Sequence, residues 1–288
     1  MIAQLAVSGL VSGAIYALVG MGLVVIYRAT QVVNFAQGEM MMLGAFFGLY
    51  ATESLGLPYA LAFVVAVAAT AAVGWLVDRV SYRPLHRAPH MTQVLATLAI
   101  ANVLKGLALL VWGTESYGYP YSERLSAAIV EPVYLNYQQA IVFVSALVIM
   151  AGLWAFFRFS GWGKAMRALS QNPTGAAICG VNVGGVFALS WAMSAGLGAA
   201  AGVLYAPLTL IDTAFGWVLI KGFAVAILGG FGSLPGAALG GLILGLVESL
   251  WSLAFPVLWA PVLAYVFIIA VLLIKPSGLL GSKAQRKL

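Results

Sequence analysis

Residues 5–28, LAVSGLVSGAIYALVGMGLVVIYR, decide the fold: twenty-three residues pass without a charge before Arg28 ends the run. A helix needs about 20 apolar residues to cross the ~30 Å hydrocarbon layer of a membrane. Gly9 and Gly13, four apart, open this helix to close approach by another. The rest of the 288 residues has the same character, with 63% hydrophobic and 8% charged residues and a mean hydropathy of +1.03. A soluble domain carries about 25% charged residues. The chain is therefore expected to be an all-α polytopic membrane protein. A barrel is excluded because the apolar runs are continuous rather than alternating.

Outward from the first span, a polar, glycine-containing stretch, Asn34-Phe35-Ala36-Gln37-Gly38-Glu39, opens the second. Further spans are expected over about 59–77, 91–112, 138–157, 186–210, 217–231, 237–254 and 257–274, making about nine, with eight as the alternative. The seventh and eighth meet at a glycine cluster, residues 229–236, and are candidates for partly re-entrant segments. MIAQLAVSGL lacks a basic lead-in and a small-residue cleavage site, so a retained helix is expected rather than a signal peptide. One transmembrane domain over 1–288 is expected.

Net charge is +6, and its placement matters more than its sum. With alternating spans and the N-terminus outside, one side receives Arg28, Arg79, Arg83, Arg87, Arg158, Lys164, Arg167, Lys275, Lys283, Arg286 and Lys287. The other receives Glu53, Glu115, Glu123, Glu131 and Asp212, opposed there by Arg124. The excess of Lys and Arg on the inner side predicts N-out and C-in, and explains the basic balance without nucleic acid. The single Cys179 permits no internal disulfide, and His86 and His90 lie in a basic loop without metal-ligand spacing. No paired carboxylates, His cluster or nucleophile motif marks a catalytic site, and no cofactor or metal is expected. No G-x-x-x-x-G-K-[ST] loop is present for nucleotide binding.

Residues 160–182, SGWGKAMRALSQNPTGAAICGVN, interrupt the apolar chain on the expected inner side, within a polar stretch spanning 158–185. Lys164, Arg167 and Gln171 are spaced to share a helix face. Asn172-Pro173 reads as an N-cap and first helical position, and Gly180 as a terminator. The segment reads either as an ordinary basic loop or as two short helices offered to a partner.

This pattern resembles the cytoplasmic motif of permease subunits of branched-chain amino acid ABC transporters: Gly163, Ala165, Arg167, Ala168, Ala176 or Ala177, Gly180, Val181, Asn182 and Val183 match it. The resemblance covers nearly the whole chain. It includes Asn34 to Glu39, Tyr82-Arg83-Pro84-Leu85, the run LGGFGSLPGA, and Lys275-Pro276-Ser277-Gly278-Leu279-Leu280-Gly281. The H-type, shorter permease is the closer match. The resemblance implies a multi-pass protein of the bacterial inner membrane that moves branched-chain amino acids. Its implied partners are a second, M-type permease, two cytoplasmic ABC ATPase subunits and a periplasmic amino-acid-binding protein. It also implies that Gly163, Lys164, Arg167, Ala168, Gln171, Asn172 and Gly180 form the ATPase-docking corner. Permeases for amides, urea or other amino acids, and an ion-coupled secondary transporter, are the alternatives.

Polar residues within spans are costly and point to a path. Asn34, Gln37, Gly38, Glu39, Asn102, Lys105, Gly229, Gly230 and Glu248 are the candidates. For Glu39 the helix dipole offers a structural explanation, and for the glycines close packing does. Lys105 is expected to pair with Glu39 or Glu248, and Lys221 to extend toward the outer surface.

Overall fold

The computed structural model describes residues 2–86, 88–120, 128–130, 133–135, 137–256, 259–275 and 277–281. Arg87, Glu123, Arg124, Glu131, Pro276, Lys283, Arg286 and Lys287, used in the topology and motif readings, lie outside the described residues. The helices are α1 (Ile2–Thr30), α2 (Gln37–Glu53), α3 (Tyr59–Val77), α4 (Arg83–Leu85), α5 (His90–Trp112) and α6 (Tyr137–Phe159). They continue as α7 (Gly161–Gln171), α8 (Pro173–Ile178), α9 (Val183–Tyr205), α10 (Val218–Gly229), α11 (Leu234–Trp251) and α12 (Ala260–Ile274). A single π turn, Asp78–Tyr82, joins α3 to α4. Among the described residues the chain departs from all-helical structure in a two-stranded antiparallel hairpin, β1 (Ala128–Val130) and β2 (Val133–Leu135), and in an isolated antiparallel bridge between Tyr117 and Ile211.

Six helical stretches are long and apolar enough to cross a membrane: Ile2–Thr30, Tyr59–Leu85, His90–Trp112, Tyr137–Phe159, Val183–Leu208 and Leu234–Trp251. This is fewer than the nine expected. The difference lies in α2, α10 and α12, which have 17, 12 and 15 residues. At 1.5 Å per residue α10 is only about 18 Å long. Helix α2 begins inside the protein, at the buried Gln37, after a non-helical approach, whereas α10 follows irregular chain and a short 3-10 turn, Phe215–Trp217. Sequence hydropathy does not distinguish a continuous helix from an irregular approach followed by a short one.

The centre is formed by α1 and α9, most of whose residues are buried. Helix α11 runs antiparallel to α1 along a seam of small residues: Gly13 faces the Gly241 carbonyl, and Gly9 faces Gly245 and Ser249. Helix α2 runs parallel to α9, with Gly44 against Ala199 and Gly202 against Met41 and Ala45. Helix α3 runs antiparallel to α9, with Gly74 against Trp191 and Ala195, and the Tyr59 hydroxyl donating to the Val203 carbonyl at 3.2 Å. Lipid supplies no hydrophobic force between helices, so close backbone approach at small residues supplies much of the attraction. The outer faces of α3, α5 and α6 are apolar and exposed, with Val64, Leu110 and Val148 at 60%, 84% and 65%. Such faces suit lipid or a neighbouring membrane subunit.

Two sequence motifs distant in the chain prove to be partners. Gly230, at φ +94, ends α10, and Ser233 caps α11 by accepting from the Gly236 amide at 3.0 Å. The segment after α12 folds back onto this turn, and the Leu279 and Leu280 amides donate to the Leu228 and Gly229 carbonyls at 2.7 and 3.2 Å. Those are last-turn carbonyls of α10, which lack partners within their own helix.

At the opposite end of the molecule, Tyr117 and Ile211 exchange backbone hydrogen bonds at 2.8 Å, and the Tyr119 and Thr52 hydroxyls are 2.7 Å apart. Burial pushes the Tyr119 phenol above its ordinary pKa.

Candidate functional site

The exposed corner forms as local chemistry dictates. Ser160 caps α7 by accepting from the Gly163 amide at 2.9 Å, and Asn172 caps α8 by accepting from the Gly175 amide at 2.9 Å. Gly180, at φ +83, ends the pair in a conformation that favours glycine, and Asn182 caps α9 through the Gly185 amide at 3.0 Å. Met166 and Leu169 are buried beneath α7, whereas Lys164, Ala168, Gln171, Asn172 and Gly180 are exposed.

Two members of the expected docking set face inward. Gly163 is buried against the Phe157 carbonyl, a position with no room for a Cβ. Arg167 is half-buried, and its guanidinium donates to that same carbonyl at the end of α6. The spacing of Lys164, Arg167 and Gln171 is helical as expected, but the three side chains do not share one surface. Arg167 bends back to satisfy a helix-end carbonyl, where a cation is favoured. It thereby ties the corner to the transmembrane body. Ile178, 82% exposed on α8, adds an apolar element to this surface that the basic pattern obscured.

Arg28, Arg158 and Arg167 surround a cavity of about 210 Å³ beside the corner, with Phe157, Leu234 and Pro235. The Arg28 guanidinium lies 5.6 Å from the Phe157 ring centroid. The ends of α1 and α6 and the start of α11 thus meet at the corner.

Inside the body, residues 34–39 join four helices. Asn34 and Gln37 are 1% and 0% exposed. Asn34 Oδ1 accepts from the Ala36 amide at 2.9 Å and shapes the break. Gln37 Nε2 donates to the Ser194 carbonyl at 2.9 Å, while the Ser194 hydroxyl lies 2.6 Å from Gln37 Oε1 and 2.8 Å from the Gly22 carbonyl. Thr97 Oγ1 of α5 accepts from the Phe35 amide at 3.2 Å. Every one of these polar groups finds a protein partner, as hydrocarbon surroundings require.

The start of α2 meets the approach to α10. Gly38 lies against the Gly216 carbonyl, and the Glu39 carboxylate packs against Gly216. The start of α2 and the 3-10 turn that leads into α10 are therefore neighbours. Glu39 occupies the first turn of α2, where the helix dipole favours a carboxylate. Its Oε2 is buried and has no hydrogen-bond partner among the described residues. Lys105 of α5 lies within electrostatic reach of Glu39 but forms no ion pair with it.

Of the expected path residues, Asn34, Gln37, Gly38 and Glu39 cluster here. Asn102 does not join them: it is exposed on α5 and donates to the Leu98 carbonyl of its own helix at 2.9 Å. Gly229 and Gly230 are occupied in packing, Gly229 against Gly236 and Gly230 against residues 277–281. Glu248 pairs with Lys221 at 2.6 Å, not with Lys105. Lys221 therefore turns inward instead of extending to the surface. Ser194, Gly216 and Tyr16 were not singled out from sequence, since each looks like an ordinary small or aromatic residue in an apolar run.

The family described as branched-chain amino acid transport system / permease component matches residues 5–275. The Escherichia coli K12 high-affinity branched-chain amino acid transport system permease protein LivH is 31% identical over 300 residues, covering 97% of this chain and 96% of the relative. The Pseudomonas aeruginosa counterpart BraD is 30% identical, covering 99% and 97%. A Methanocaldococcus jannaschii protein, described as a probable branched-chain amino acid transport permease, is 30% identical, covering 92% and 88%. Among solved structures, PsaBC from Streptococcus pneumoniae in complex with Fab shares the fold, with a TM-score of 0.54 and 13% identity over 94% of this chain and 91% of that one.

Proposed function

This chain belongs to the family of branched-chain amino acid transport system permease components, and from that membership we propose how it works. It is a multi-pass permease subunit that carries branched-chain amino acids through a membrane as part of an ATP-driven ABC importer. The family match across residues 5–275 carries this conclusion. In the proposed assembly, a second, M-type permease completes the path and two cytoplasmic ATPase subunits grip the α7–α8 corner. A periplasmic binding protein delivers the amino acid, and the membrane is the bacterial inner membrane. The whole chain, 1–288, works as one permease domain.

Nine passes, N-out and C-in, are the topology we infer. Two segments, residues 31–53 and 206–229, each count as one pass made of an irregular approach and a short helix, the second approach carrying 3-10 turns at Ala206–Leu208 and Phe215–Trp217. The parallel course of α1 and α10 supports this, with Gly20 beside Gly222 and Tyr27 beside Phe231, as does the antiparallel course of α1 and α11. Arg28, Arg83, Arg158, Lys164 and Arg167 all lie at the corner end, which the positive-inside rule assigns to the cytoplasm.

The corner is coupled to the interior by contact. Asn182 ends the corner and caps α9, and Ser194, three turns further along α9, holds Gln37. Movement of the corner by an ATPase would shift α9 and with it the junction at 34–39. We infer that Asn34, Gln37, Gly38 and Glu39 border the path there, and that Lys105 adds to its field.

The test is ATP-dependent uptake by the reconstituted complex, offered a panel of branched-chain and other amino acids, amides and urea. Uptake of leucine, isoleucine and valine is expected. An assembled, ATP-hydrolysing complex that moved only amides or urea would replace the substrate assignment, and one that moved nothing would overturn the transport role.

A further inference from the structure

A second polar site lies away from both the corner and the 34–39 junction. Between the first half of α1 and the end of α11 is a cavity of about 180 Å³, lined by Ser8, Ser12, Tyr16, Glu248, Ser249 and Ser252. Its mouth is at the end of the molecule opposite the corner, where α1 begins, α11 finishes and Ser252 is exposed. Ser8, Ser12 and Tyr16 recur every four residues, so one face of α1 carries hydroxyls inward from that mouth.

At the inner end stands an ion pair, the only one among the described residues. Lys221 Nζ is 2.6 Å from Glu248 Oε1 and 2.7 Å from the Tyr16 hydroxyl, and it lies 4.7 Å from the Tyr16 ring centroid. Glu248 and Tyr16, the two partners of Lys221, line the cavity, and the side chains of Lys221 and Glu248 retain 22% and 17% exposure, so the pair is not sealed. Lys221 sits in the first turn of α10, whose N-terminal partial charge reinforces the positive pole.

Even a fully buried ion pair is a poor way to gain stability, because apolar residues of the same shape often serve as well, and this one is only partly buried. Its presence within a transmembrane body calls for another use. The two poles are the electrostatic complement of an α-amino acid: a cation for the carboxylate and a carboxylate for the ammonium, with serine hydroxyls along the approach. The size agrees, since a cavity of about 150 Å³ holds benzene. An amino acid with a short aliphatic side chain has only a few more heavy atoms.

We propose that the Lys221–Glu248 pair is a zwitterion-reading station for an aliphatic α-amino acid entering from the end opposite the corner. The incoming carboxylate takes the place of Glu248 on Lys221, and the ammonium takes the place of Lys221 on Glu248. The pair re-forms when the amino acid moves on, so the empty site never holds a lone buried charge. Tyr16 is a positioning residue that holds Lys221 in place. The proposal rests on the transport reading above.

The experiment uses the full reconstituted complex and measures assembly, thermal stability, ATP hydrolysis and leucine uptake together. The double variant Lys221→Met/Glu248→Gln removes both charges while keeping volume. It is expected to assemble with near wild-type stability and to lose leucine uptake at least tenfold. Wild-type uptake by the double variant would show the pair to be merely structural and overturn the proposal. Should the double variant not assemble, Ser252→Phe at the exposed mouth decides. Tenfold lower uptake with unchanged stability upholds the entry route, and unchanged uptake overturns it. A wild-type complex that took up no amino acid would defeat the transport reading itself, an outcome distinct from failure of the variants alone.

Discussion

The Ser194 hydroxyl and Gln37 Oε1 are 2.6 Å apart, and Gln37 Nε2 returns a hydrogen bond to the Ser194 carbonyl at 2.9 Å. This exchange fastens the start of α2 to the middle of α9. Replacing Gln37 by Leu leaves the fully buried Ser194 hydroxyl with only the Gly22 carbonyl. A loss of about 1–2 kcal/mol is expected. Gln37→Leu and Ser194→Ala should be non-additive in thermal unfolding of the solubilised protein, since each removes the same contact. Full additivity would show that the two groups do not act as a unit.

The glycine seam between α1 and α11 makes a second, contrasting prediction. A Cβ at Gly13 would lie 2.7 Å from the Gly241 carbonyl oxygen and 3.0 Å from Leu242 Cα, whereas one at Gly106 would meet nothing within 4 Å. Gly13→Leu is expected to abolish folded yield, because backbone atoms cannot move aside as side chains can. Gly106→Leu should be recovered at wild-type levels by size-exclusion profile, unless a partner subunit covers that face of α5.

Arg167 and Lys164 should separate bracing from docking. Arg167→Ala frees the Phe157 carbonyl and is expected to cost about 1–2 kcal/mol and to speed proteolysis within 160–182. Lys164→Glu, at an exposed position, should leave stability unchanged and weaken retention of the ATPase subunits on copurification. The opposite pattern would exchange the two roles.

The tail that covers α10 offers another check. Gly278 has φ +75 and lies against the Gly230 backbone. Gly278→Val adds both strain and a clash, and should detach the Leu279 and Leu280 amides from their carbonyls. Faster hydrogen exchange at Leu279 and Leu280 and a lower unfolding temperature are the expected readouts.

Topology is open to a direct chemical test. Cys179 is the sole cysteine and is exposed on the corner. A membrane-impermeant maleimide should label it in inside-out vesicles without bound ATPase and not in right-side-out vesicles. Labelling only in right-side-out vesicles would invert the proposed orientation.

Much was determined by the sequence alone. The membrane class, the positions of the breaks at 34–39, 172 and 229–236, the cap Asn172 and the terminator Gly180 were open to reading there. These are local matters: hydrocarbon demands long apolar runs, and a turn or cap needs particular residues within three or four positions. The family motifs were legible for the same reason.

Tertiary structure alone decided the partnerships. Glu248 could not be assigned to Lys221 rather than Lys105 from spacing, since the contact crosses from α10 to α11 and turns on how those helices face each other. Nor could Gln37 be matched to Ser194, 157 residues away. Helices apolar on every side carry no pattern that selects a buried face. Only the close approach of glycine backbones, Gly13 to Gly241 and Gly38 to Gly216, sets the register in which these charges and hydroxyls meet.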